Sequence, residues 1–349
     1  MRPITATLLL AIPSLLTAQQ TERISLDGRE VAVYNLVGRL RVDGGTGDKV
    51  IVEVTRAGRD AGRLKLLTGD VRGRATLRVD YPEDRIYYSD MRWNGRSTFT
   101  IGDDGTFGDG NNDRYDRRGR RIEVSSRGDG LDAHADLHVI VPKGKTLFLR
   151  QGIGETTIDN VDGQLSVDVA ASSVKVSRVR GSLSLDTGSG GVEVTDMTGD
   201  LSLDSGSGGA TLDGVRGGRL TMDVGSGSLR GRSIEMSEIT ADVGSGGVRL
   251  SGVKAPRLHL ETGSGSTEIE MLSAPDDVSI EAGSGGVTLR MPASTEATVD
   301  IETGSGGIDT DFDVKLRRIE RRALHGTIGS GKGRIKIESG SGSVRLLKV

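Results

Sequence analysis

The chain has 349 residues, of which 53 are Gly, ten are aromatic (one Trp, five Tyr, four Phe) and none is Cys, with a formal net charge of −3. Zero Cys excludes a disulfide scaffold, Gly at about one residue in seven falls well short of collagen's one in three, and 34% apolar content at so low a charge excludes a chain disordered throughout. The same balance gives no electrostatic reason to expect nucleic acid as a partner.

Residues 1–18 read as a signal peptide. Arg2 supplies the positive start, Ile4 to Leu16 is an apolar stretch too short to span a bilayer, and Ala18 is a plausible cleavage residue. No later stretch is apolar enough to cross a membrane, so the expected location is the periplasm, the cell surface or the medium. Residues 19–81 read as N-terminal β rungs, 82–130 as an insertion loop rich in Gly, Asp and Arg, and 131–349 as a regular β-solenoid.

Self-similarity decides the fold class. LSLDTGSGGVEV from Leu183, LSLDSGSGGATL from Leu201 and ITADVGSGGVRL from Ile239 are three copies of a unit that recurs from Leu147 to Ile335. Successive starts are 18 to 21 residues apart, except for a last gap of 36, which predicts a degenerate rung near 317–328. Within each unit apolar and polar residues alternate, the period of a strand. One rung buries about five aliphatic side chains at roughly 1.5–3 kcal/mol each, less than the ordering cost of eighteen residues at about 1–2 kcal/mol apiece. Rungs must therefore stack, as in a solenoid. The expectation is an all-β, single-stranded parallel β-helix, right-handed because parallel connections almost always are. Gly-Ser-Gly occurs nine times, from 188 to 340, and reads as the corner of each rung, with Gly supplying positive φ and clearance between stacked backbones. The last rung, from Val344, is expected to leave an unpaired edge that needs a partner or a cap.

These features resemble the bacterial "putative adhesin" family of β-strand-repeat (β-helix) proteins, a domain family of unknown function. VAVYNLVGRLRVDGGTGDKVIVEVTRAG (31–58) is similar to its opening rungs, LHVIVPKGKTLFLR (137–150) to its join into the regular rungs, and GTIGSGKGRIKIESGSGSVRL (326–346) to its close. The resemblance implies a β-helix at the cell envelope and carries over no catalytic residue. Residues 82–130 depart from it.

Two features invite a ligand. After the second aliphatic of each rung comes an acid: Asp168, Asp186, Asp204, Asp223, Asp242, Glu261, Glu281, Glu302 and Glu338. Stacked carboxylates repel, so compensation is expected from the N–H groups of the glycine corner, or from a weak cation ladder along Asp186, Asp204, Asp223, Asp242, Glu261 and Glu281, for which calcium is the fitting ion. A flat, mostly hydroxyl row of Ser166, Ser184, Ser202, Thr221, Thr240, His259 and Ser279 runs beside it. Secondly, Tyr87, Tyr88, Trp93, Phe99, Phe107 and Tyr115 cluster in the insertion. They form either a stacking platform for sugar or a cover packed on the solenoid. Asp132, His134, Asp136 and His138 alternate on one strand and read as an exposed face, with zinc as the sharper alternative. No nucleophile–His–acid constellation is apparent. The sequence therefore reads as an exported, non-catalytic β-solenoid without a resident cofactor, serving adhesin-like surface interaction or envelope structure, with surface polysaccharide or another envelope protein as partner. The alternative is a carbohydrate-binding or lyase- or glycosidase-like β-helix that uses 82–130.

Overall fold

Alternating side chains make each repeat unit a strand, and stacking those strands in register places like on like. The computed structural model describes residues 21–89, 94–108, 119–320 and 322–349; the expected signal segment lies outside them. Among the described residues the chain is all-β apart from the short 3-10 turn Ala61–Arg63.

Two parallel ladders run the length of the rod. The first stacks Leu147 on Leu165, then Leu183, Leu201, Leu220, Ile239, Leu258 and Val278. The second stacks Val174, Val192, Ala210, Leu229, Val248, Thr267 and Val287. A narrow third side is joined by single bridges such as Arg180–Thr198–Arg216. All of these inward side chains are at most 3% exposed, so each rung is closed above and below by its neighbours.

The Gly-Ser-Gly corners work by clearance more than by conformation. Of the eight that stack, only Gly190 and Gly265 have positive φ. In contrast, a Cβ on Gly208 would lie 1.7 Å from the Gly190 carbonyl oxygen, and one on Gly246 1.8 Å from that of Gly227. The ninth copy, 329–331, lies outside the stack and turns the chain between two strands, with φ of 58° and 75°. Positive φ belongs instead to the opposite corner, where Asn160, Arg178, Asp196, Gly214, Ser233 and Gly252 all adopt it at 51–66°.

Both ends of the rod break chain order. The rung expected to come last, Gly333–Ser339 with Val344–Lys348, slots between two earlier ones. Ile337 pairs with Ile280 on one side and Ile301 on the other, and Val344 with Val287 and Ile308. The C-terminal rung is therefore interior, which corrects the expected open edge. The degenerate rung expected near 317–328 is instead an antiparallel hairpin, Val314–Glu320 with Ala323–Ile328, laid against Ala297–Thr303. It has no glycine corner to carry the chain round, so the chain doubles back and caps the stack. The outer strand of this cap carries Lys315, and Lys on an edge strand discourages further pairing.

At the other end, Glu30–Val37 and Leu40–Gly45 form a rung beneath Lys145–Asp159, with Val31 on Leu147 and Leu40 on Thr156. Around it Thr21–Leu26, Val50–Ala57 and Lys65–Val71 add antiparallel strands, so 19–81 is only partly built of rungs. The described part of the insertion is not a loop: it supplies three strands that form with Leu131–Asp132 a separate four-stranded sheet, in the order Leu131–Asp132, Arg85–Tyr87, Gly119–Ser125, Arg96–Gly102. Phe99 faces Ile122 across the last pair, and Ile86, Ile122 and Val124 are buried. This small sheet covers the outside of the N-terminal rung. That is why Glu30–Val37 is buried on both faces and reads as a nearly unbroken apolar run.

Candidate functional site

The most regular surface is the acidic one. The first ladder carries Asp168, Asp186, Asp204, Asp223, Asp242, Glu261, Glu281, Glu338 and Glu302, in that spatial order, as register partners. Ser184, Ser202, Thr221 and Thr240 stack two residues earlier, on the same face. Around the corner Arg249 meets Glu268 at 2.9 Å, an exposed pair worth about 0–1 kcal/mol, while Lys175 and Glu193 are register partners without an ion pair.

The corner amides do not compensate the acids. Gly206 N–H donates to Thr187 O at 2.9 Å, Ser207 N–H to Gly188 O at 3.1 Å, and Gly225 N–H to Ser205 O at 2.9 Å. Rung-to-rung bonding uses these donors, so Asp186, Asp204, Asp223 and Asp242 stand in solvent facing one another. Inside the same corner, buried hydroxyls take the remaining polar role: Ser205 Oγ donates to Gly208 O at 2.9 Å and Thr303 Oγ1 to Gly306 O at 2.8 Å. Among the described residues, Arg150 lies 3.8 Å from Asp168, Lys336 2.6 Å from Glu338 and the His259 imidazole 3.1 Å from Glu261.

The electrostatic consequence is measurable. The Asp204 carboxyl is held above its usual range by partial burial first and by Asp186 and Asp223 second. Asp242 is raised likewise, by burial and then by Asp223 and Glu261. A carboxyl whose folded value exceeds its unfolded value near 3.8 adds stability below that value, and the contribution is lost as pH rises through the folded value. Asp204→Asn is therefore expected to raise the melting temperature at neutral pH. The gain should shrink as pH falls toward 3.8 and as salt screens the row.

A shallow groove of about 630 Å³ runs past Asp242, Glu261, Glu281, Glu338 and Glu302. As a calcium cage it fits poorly. Calcium takes 6–8 oxygens at about 2.3–2.6 Å, whereas this row offers one carboxylate per rung, about 4.8 Å apart, beside carbonyls that already accept hydrogen bonds.

Of the four described aromatics of the insertion cluster, three are packed inward. Phe99 and Phe107 meet edge to face at 6.1 Å, Phe107 meets Tyr34 of the N-terminal rung at 5.8 Å, and Tyr88 meets His134 at 5.2 Å. Tyr88, Phe99 and Phe107 are at most 9% exposed, so their faces are spent on the cover and not open as a platform. Tyr87 remains half-buried, and Trp93 and Tyr115 lie outside the described residues. Tyr81 anchors the same region: its buried hydroxyl donates to Asn35 Oδ1 or Val37 O, both at 2.9 Å. The alternating strand of 132–138 does not converge on a metal. Asp132 pairs with Arg59 at 2.7 Å and Asp136 accepts the Arg39 N–H at 2.8 Å. His138 lies between Asp43 at 2.7 Å and Glu53 at 3.3 Å.

One constellation escaped sequence reasoning. Asp300 and Glu302 sit on a rung strand and His325 on the capping hairpin, yet their ligand atoms lie within 4.8 Å of one another. The antiparallel hairpin of 314–328 brings them together, at a place where the unit spacing predicts another rung.

Stacked parallel ladders with glycine corners place this chain among the all-β proteins built from repeated rungs. The chain belongs to the Toastrack DUF4097 family, whose sequence profile matches residues 134–347. That match agrees with the β-strand-repeat resemblance and brings no assigned activity. No curated protein matches the chain by sequence. A solved structure of a "putative cell adhesion protein" from Clostridium sporogenes is similar at 10% identity over 95% of this chain and 99% of that one, with a TM-score of 0.23. So loose a superposition adds nothing to the strand register as an argument for the fold. Among the described residues, no helix is long and apolar enough to cross a membrane.

Proposed function

We propose that this protein is an exported, non-catalytic solenoid that acts by surface interaction at the cell envelope, presenting one polar face repeatedly along a rigid rod. The observation that carries this reading is the register. Acid stands on acid from Asp168 to Glu302 and hydroxyl on hydroxyl from Ser166 to Thr240, so a partner with its own repeat meets many weak contacts at once. Surface polysaccharide and elongated envelope proteins are such partners. Export is supported by the signal-like residues 1–18, and a right-handed coil of 18–21 residues per rung by the spacing of the units. The carbohydrate-active alternative draws less support, because three of the four described aromatics it would use, Tyr88, Phe99 and Phe107, are buried in the cover.

A glycan array and isolated envelope fractions, probed with the intact mature chain and with an Asp186→Lys, Asp204→Lys, Asp223→Lys variant, test the proposal. Binding that the triple variant loses, with Tyr87→Ala unchanged, is the expected result. Polysaccharide cleavage, or binding that follows Tyr87, would overturn it.

A further inference from the structure

Beyond any interaction along the rod, we infer that Asp300, Glu302 and His325 form a binding site for a divalent transition metal of the zinc class, which staples the capping hairpin to the rung beneath it. Three observations converge. First, the donors come from two different elements. Asp300 and Glu302 project from one face of Ala297–Thr303, and His325 stands opposite Asp300 on the antiparallel strand Ala323–Ile328. An ion held by all three therefore bridges that junction.

Secondly, the donor atoms are already gathered. His325 Nδ1 lies 2.7 Å from Asp300 Oδ1, and all three ligand atoms fall within 4.8 Å of one another. A tetrahedral ion with bonds of about 2.0–2.2 Å needs its ligands about 3.4 Å apart. The remaining closure falls to Glu302, whose side chain is exposed and long enough to swing inward. The ion takes the place of the contact between His325 Nδ1 and Asp300 Oδ1: a neutral imidazole ligates through the Nδ1 lone pair and keeps its one proton on Nε2, so no imidazole proton is lost. Two carboxylates balance the dication, and water completes the fourth position on the open side.

Thirdly, the lysine beside Asp300 is directed elsewhere. Lys336 is the register partner of Asp300 on the opposite strand, but its ammonium lies 2.6 Å from Glu338 Oε1. Imidazole nitrogen selects zinc-class ions over calcium or magnesium, which favour oxygen alone. The site shares Glu302 with the end of the acidic ladder, and the His325 imidazole beside Asp300 is what distinguishes it there.

The test is a titration of the full mature chain with Zn²⁺ by calorimetry, and with Co²⁺ followed by visible absorption. One equivalent of Zn²⁺, cobalt bands of a low-coordinate nitrogen–oxygen site, and a higher melting temperature with Zn²⁺ are expected. Affinity should fall at least tenfold in His325→Ala and Asp300→Asn and stay unchanged in Asp204→Asn. Glu302→Gln, an exposed change that leaves packing intact, should also weaken binding, and it keeps the test decisive should His325→Ala fail to fold. Absence of binding to the wild-type chain would overturn the inference. So would Zn²⁺ affinity indifferent to Glu302→Gln and Asp300→Asn, or an equal thermal shift with Ca²⁺.

Discussion

Gly246→Ala is expected to destabilise the rod by about 3 kcal/mol or more, whereas Gly247→Ala, one residue along, should change stability by less than about 0.5 kcal/mol. The two glycines differ in what a methyl group would meet. At Gly246 the new Cβ falls 1.8 Å from the Gly227 carbonyl oxygen and 2.4 Å from its carbon, both rigid backbone of the rung below. At Gly247 the nearest atom is Ser266 O at 3.4 Å, an ordinary contact. Relief at Gly246 requires neighbouring rungs to separate, and that breaks hydrogen bonds such as Ser245 N–H to Gly225 O at 3.1 Å. Denaturant unfolding of both variants checks the contrast. Equal, small losses would show that the corner yields and that its glycines serve flexibility alone.

Ile337→Ala is expected to cost about 2–5 kcal/mol, the range for emptying a packed aliphatic position. A residue so near the C-terminus of a sequentially stacked rod would lie on a fraying last rung and cost far less. Here Ile337 is fully buried between Ile280 and Ile301, and the strand that carries it is paired on both sides. The loss should come with a cooperative transition for the whole C-terminal end. Denaturant melts of Ile337→Ala beside Ile301→Ala, on the neighbouring strand, give the comparison. Near-silent behaviour of Ile337→Ala would mean that the rung is not held as an interior one.

Much of the site was legible because a repeat states its own register. The period of the Leu183, Leu201 and Leu220 units aligns Asp186, Asp204 and Asp223 without any coordinates, and the structure places them as partners. Their compensation was not legible. Whether a corner N–H turns to a side chain or to the rung below depends on stacking distance, and here the carbonyl below takes it. The insertion misled through composition. Its Gly, Asp and Arg content suggested a loop, while the alternation in RSTFTIG and GRRIEVS makes strands with Phe99 and Ile122 inward. The joining of Asp300 and Glu302 with His325 was out of reach, because it needs the chain to reverse at a place where the unit spacing predicts another rung.

The sequence by itself determined that this chain is all-β, that its rungs stack aliphatic on aliphatic, and that one edge carries a row of acids. Local alternation and a fixed period suffice for that, since each rung is stable only against a copy of itself. Only the tertiary structure decided how the rod ends. A terminal rung has one neighbour and an open edge, and no local signal states which distant segment will cover it. The N-terminal rung slips beneath residues 145–159, the C-terminal rung inserts between two earlier ones, and the 314–328 hairpin closes the stack. These are long-range pairings, chosen by the edges left to be buried and not by the residues' own periodicity.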